Sequence, residues 1–240
     1  MRDVVDVALG GGEGAFPGAA SAPAGAAKGG VVVVQEAFGV TPHIRSLCAR
    51  LADAGYVAVA PALFHRSGSP VFEYSDVEHA MPLLRSLKGD EILSDVEAAL
   101  AYLGSAGVGR EQSAVVGFCM GGSVSLVAAT RTELGAAVTF YGGGVVEGRF
   151  GFPPLEEVAP SLRCPWLGLF GDEDASIPVE HVERLREAAE QAPVDTEVVR
   201  YPGAGHGFNC DDRGSFVPQA AADAWARTLA FLDRHLAAGG

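Results

Sequence analysis

The residues best placed for chemistry sit in a few short stretches of the chain. Cys119 stands in Gly117-Phe118-Cys119-Met120-Gly121, between the apolar run Ala114-Val115-Val116 and a helix-forming segment, Leu126-Val127-Ala128-Ala129. This reads as a strand, a tight turn and a helix, with the thiol at the apex. Glycine two before and two after the cysteine removes side chains that would clash with a neighbouring strand or helix, so the turn can hold a strained residue. A thiol at a helix N-terminus meets free N–H groups and the positive end of the dipole, which favour the thiolate. The same five residues also describe a glycine-rich turn around a buried structural cysteine, so a chemical role needs partners elsewhere. The candidates are Glu36 in Gln35-Glu36-Ala37-Phe38-Gly39, the acids of Asp172-Glu173-Asp174, and His206 in Ala204-Gly205-His206-Gly207-Phe208. A thiol, an imidazole and a carboxylate are the parts of nucleophilic catalysis.

For these stretches to meet, something must carry each to the same end of the molecule. Every one follows a short apolar segment. Val31–Val34 is apolar on both faces, as a strand of a parallel sheet must be. Further strands are expected at 3–9, around Phe16, and at 56–60, 113–117, 136–140, 166–170 and 196–201. Helices are expected from Thr41-Pro42 to Gly55, and over 76–87, 90–103, 121–131, 179–190 and 217–237. Residues 141–165 carry Pro153, Pro154 and Pro160 and are expected to lack regular structure. The alternation of strand and helix predicts one doubly wound α/β domain over residues 1–240, with a mostly parallel sheet between two helical layers. Ligands of such sheets bind beyond the carboxyl ends of the strands, which is where the four reactive loops fall.

At 240 residues and 48% hydrophobic the chain can bury one large core. No stretch is long and apolar enough for a membrane span, and Met1-Arg2-Asp3-Val4-Val5-Asp6 lacks the layout of a signal peptide. A formal charge of −13 disfavours a nucleic-acid partner. Cys48, Cys119, Cys164 and Cys210 form no CxxC pair, which points to a reducing, cytoplasmic setting rather than a disulfide framework. The glycine clusters lack a dinucleotide-binding fingerprint, so no organic cofactor is expected. His206, Cys210, Asp211 and Asp212 have the donor types of a metal site. Their crowding on one irregular loop, with no second cluster, argues against it, and no metal is expected.

Taken together, the stretches resemble the dienelactone hydrolase (carboxymethylenebutenolidase) family of the α/β-hydrolase superfamily. Nucleophile, acid and base also follow the chain order of that superfamily. The likeness runs from the first strand to the last helix. It is carried by Gln35 to Gly39, by Gly117 to Gly122, by Gly171-x-x-Asp174-x-x-Ile177-Pro178 and by Ala204 to Phe208, with Pro61-Ala62-Leu63-Phe64 in addition. The resemblance implies an ester or lactone hydrolase with a Cys119–His206–Asp174 triad, selecting Asp174 over Asp172. It implies an oxyanion hole from the backbone N–H groups of Ala37 and Met120. It also implies that Glu36 gates the thiol, accepting its hydrogen bond at rest and opposing a second negative charge nearby.

The family binds the carboxylate of dienelactone through arginines, and here this chain departs from the pattern. Val77, Met81 and Cys210 stand where an Arg, a Tyr and a second Arg are expected. Arg66 and Arg213 are candidates to replace them, with Phe38 and Tyr141 as further substrate-binding candidates. The expected partner is thus a small-molecule ester or lactone, with no nucleic acid and no membrane, and with the chain a monomer or small homo-oligomer. A redox-sensing or catalytically silent thiol protein on the same fold is the competing reading.

Overall fold

The computed structural model describes residues 1–236. In chain order the elements are β1 (Val5–Leu9), β2 (Phe16–Ser21), β3 (Gly29–Val34), α1 (Pro42–Asp53), β4 (Tyr56–Pro61), α2 (Val77–Ser86), α3 (Gly89–Ser105), β5 (Ser113–Phe118), α4 (Met120–Arg131), β6 (Ala136–Phe140), α5 (Leu155–Val158), β7 (Trp166–Gly171), α6 (Val179–Ala189), β8 (Thr196–Tyr201) and α7 (Pro218–His235). The strands form one eight-stranded sheet in the order β1-β2-β4-β3-β5-β6-β7-β8. β1 and β2 run antiparallel at one edge, and every pairing from β4 to β8 is parallel. This is the mostly parallel α/β sheet that the alternating pattern predicted, in the α/β-hydrolase fold that the resemblance implied.

Burial explains why the middle strands read as unbroken apolar runs. β3, β5, β6 and β7 are buried along their whole length, because helices cover both faces. α1 and α7 share one face, joined where the Arg50 guanidinium sits 4.0 Å from the centre of the Trp225 ring. α3, α4, α5 and α6 contact one another in series on the other. α1 begins as its sequence dictates: Thr41 Oγ1 accepts from the Ile44 N–H at 3.3 Å, with Pro42 at the first helical position. α3 turns Ile92, Val96, Leu100 and Leu103 inward, the spacing of one helical face.

Two expectations need adjustment. The connection over 141–165 contains one turn of helix, α5, whose N-cap Pro154 sits at φ −47° and ψ 136° and has no N–H to satisfy. The last helix ends at His235, and the expected end at 237 lies outside the described residues. No helix among those described is long and apolar enough to cross a membrane.

Candidate active site

The turn after β5 is strained at its apex. Cys119 adopts φ 56° and ψ −116°, outside the regions an L-residue normally occupies, at a cost on the order of 1–3 kcal/mol. Two close approaches hold it there. A side chain on Gly117 would collide with the Gly121 carbonyl, and one on Gly121 would collide with the Val34 carbonyl of the adjacent strand. The Cys119 N–H donates to the Phe140 carbonyl at 3.0 Å, pinning the turn to β6. The thiol is left partly exposed at the first turn of α4.

β7 and β8 deliver the acid and the imidazole. His206 Nδ1 lies 2.6 Å from Asp174 Oδ2. Asp174 is buried, and its other oxygen accepts from the Ser176 N–H at 2.9 Å and from the Ser176 hydroxyl at 2.6 Å. Burial alone would raise the Asp174 carboxyl, but His206 and Ser176 outweigh it and hold it below the usual range, so it stays ionised. For His206, burial pulls the imidazolium down. Negative charge on Cys119, with the Asp174 carboxylate, overcomes this and pushes the pKa up to about 10. Asp172, the other aspartate of this loop, is taken by Arg200 at 2.7 Å.

Glu36, on the loop after β3, is buried, and its hydrogen bond goes to an arginine and not, as expected, to the Cys119 thiol. Its Oε1 accepts from Arg213 Nη1 at 3.2 Å, while Oε2 is buried without a hydrogen-bond partner. Arg213 is committed to this place. Its guanidinium also lies 5.9 Å from the Phe38 ring centre and 5.5 Å from that of Tyr74. Gly207, with φ 78°, lets it pass, since a Cβ there would stand 2.5 Å from Arg213 Nη1. Gln35 braces the same loop from its own side chain: its Oε1 accepts from the Leu63 N–H at 3.0 Å.

These groups surround a cavity of about 580 Å³ lined by Cys119, His206, Ala37, Phe38, Ser176 and Arg213, together with side chains of α2 and the 141–165 connection. Two expected substrate contacts are corrected. Arg66 is not at the cavity, because both its Nη atoms donate to the buried Asp95, at 2.8 and 2.9 Å. Tyr141 is fully buried behind the site, its ring centre 5.1 Å from that of His206, and does not line the cavity. Five lining residues were not singled out in the sequence: Leu84, Arg85, Arg149, Phe150 and Ser176. Val77, Met81, Leu84 and Arg85 come from one face of α2, and Arg85 with Leu84 was legible there as the next turn after Val77 and Met81. Arg149 and Phe150 come from the connection, where no periodicity marks them. Among the described residues neither Arg85 nor Arg149 makes an ion pair, whereas Arg66, Arg200 and Arg213 all do.

The family model for the dienelactone hydrolase family matches residues 16–236. A Yersinia pestis protein assigned by name as a carboxymethylenebutenolidase is 39% identical over 208 residues, covering 85% of this chain and 78% of its own. A Synechocystis protein assigned the same name is 39% identical over 213 residues, with 86% of each chain covered. The crystal structure of a Klebsiella pneumoniae protein assigned as a dienelactone hydrolase superposes with a TM-score of 0.90 at 35% identity, covering 98% of this chain and 99% of that one. With the family model spanning most of its length and these relatives covered over most of theirs, the chain belongs to the dienelactone hydrolase family, as a hydrolase of the ester and lactone class.

Proposed function

We propose that this protein hydrolyses a small ester or lactone through a covalent thioester on Cys119. The observation that carries the reading is the Asp174–His206 hydrogen bond of 2.6 Å on the wall of the cavity that also holds Cys119. As the Cys119 sulfur attacks the carbonyl carbon, His206 takes the thiol proton, and the C–O bond to the leaving alkoxide breaks as the resulting imidazolium protonates that oxygen. Water then attacks the thioester while His206 takes its proton, and the C–S bond breaks to release the acid as that proton returns to the Cys119 sulfur. Asp174 fixes the tautomer and orientation of the ring. The developing oxyanion is met by the Met120 N–H at the first turn of α4 and by the Ala37 N–H, whose partner on the loop after β3 is otherwise none among the backbone bonds described. Turnover of a panel of p-nitrophenyl esters and lactones tests this. Activity lost in proportion to alkylation of Cys119 supports it, and activity that survives full alkylation contradicts it.

The two unpaired arginines suggest what the substrate carries. Arg85 and Arg149 offer a carboxylate two free forks at the cavity wall, in a chain whose net charge is −13. The substrate is thus a small ester or lactone bearing an anionic group, bound from positions other than those of the family pattern. Arg85→Ala and Arg149→Ala are each expected to raise KM for a carboxylate-bearing ester roughly 5- to 10-fold, a modest figure because both side chains are exposed. Matched neutral esters should show no change, and an equal loss on both would remove the arginines from substrate recognition.

Glu36 acts as an electrostatic gate in this reading. Its charge opposes a thiolate, and Arg213 offsets part of that charge. Glu36→Gln removes the negative group and leaves the Arg213 cation uncovered, so thiol alkylation should extend to lower pH. An unchanged alkylation profile would contradict the gate.

A further inference from the structure

We infer that His43, Cys210 and Asp211 form a binding site for a thiophilic divalent cation of the zinc class, apart from the Cys119 pair. The three come from opposite ends of the chain: His43 from the first turn of α1, Cys210 and Asp211 from the loop after β8. One ring nitrogen, the Cys210 sulfur and a carboxylate oxygen of Asp211 lie within 4.8 Å of one another, the one such grouping of three among the described residues. Nitrogen, sulfur and oxygen donors in this mixture suit zinc rather than magnesium or calcium.

The burial of the donors is what a plain hydrogen bond does not explain. The His43 side chain is 1% exposed and Cys210 is fully buried, while the Asp211 side chain is 69% exposed. His43 Nδ1 lies 3.1 Å from Asp211 Oδ1, which accounts for one ring nitrogen. The other, Nε2, is buried with no partner. A tetrahedral cation with bonds of about 2.0–2.3 Å sets its donors roughly 3.3–3.8 Å apart. The His43 and Asp211 atoms, 3.1 Å apart, are already near that spacing, and the grouping as a whole, within 4.8 Å, has to tighten by no more than about 1 Å. Its exposed side also leaves a fourth position for water. The N-terminus of α1 repels a cation, and the thiolate and carboxylate bring two negative charges against that repulsion. On binding, the S–H proton leaves to solvent as the sulfur–metal bond forms, with no change of oxidation state. The cation would tie α1 to the loop that carries Arg213.

The test uses the reduced, metal-free full chain bearing Cys119→Ala, so that the cavity thiol takes no part. Equilibrium dialysis against Zn²⁺ is expected to give one bound equivalent, and Co²⁺ is expected to show a thiolate-to-metal absorption band. Cys210→Ser should abolish the band, and Asp211→Asn, at an exposed side chain that leaves the fold undisturbed, should weaken Zn²⁺ binding 10-fold or more. No bound equivalent in the Cys119→Ala chain, or equal affinity in the Asp211→Asn variant, would overturn the site.

Discussion

Replacing Cys119 with Ala is expected to lower ester turnover by about 10⁴-fold or more while leaving the fold intact. The loss is large because the sulfur is the one group that forms a bond to substrate in this account. Without it the oxyanion donors and the cavity remain, and they supply only a small residual rate. The fold is spared because the turn is built by its neighbours. Gly117 and Gly121 make the close approach possible and the Phe140 carbonyl anchors the Cys119 N–H, so alanine inherits the same backbone. Steady-state kinetics beside circular dichroism checks both halves. Turnover within tenfold of the parent would place the nucleophile elsewhere.

Asp174→Asn should cost about 10³- to 10⁴-fold in kcat, with KM little changed, because the loss falls on the step and not on substrate binding. Two physical effects combine. The amide cannot reproduce the charged hydrogen bond at 2.6 Å, so the ring loses both its tautomer and its aim. The charge also matters to the proton. The His206 pKa is raised because negative neighbours outweigh burial, and removing one of those neighbours while burial persists must lower it. In a Cys119→Ala background, where the thiolate no longer contributes, the His206 midpoint read by imidazole NMR should therefore fall on adding Asp174→Asn. A midpoint that stays or rises would mean that Asp174 does not set the charge of this ring.

The fold and the loops that carry Cys119, Asp174 and His206 were legible because both rest on local rules. A buried parallel strand must be apolar on both faces, so Val31–Val34 declared itself. A cysteine at a strained turn needs small neighbours, so Gly117 and Gly121 marked Cys119. Asp174 is preferred to Asp172 on the family's spacing from Gly171 to Pro178. The structure separates their contacts: Asp172 meets Arg200 and Asp174 meets His206. The cavity wall was less legible, for a different reason. Arg66 and Arg213 both sat on loops near the strand ends, and only tertiary pairing decides between them. Buried Asp95 on α3 draws Arg66 away, while Glu36 draws Arg213 in. Arg149 and His43 had no signal of their own. One lies in a connection without period, and the other finds Asp211 across 168 residues of sequence.

The central claim is a covalent thioester on Cys119, and acid-quenched mass spectrometry during turnover of an activated ester tests it most directly. The account predicts a mass gain of one acyl group, mapped to the peptide containing Cys119 and absent from the Cys119→Ala variant. Continued turnover with no acyl adduct on that peptide would contradict it.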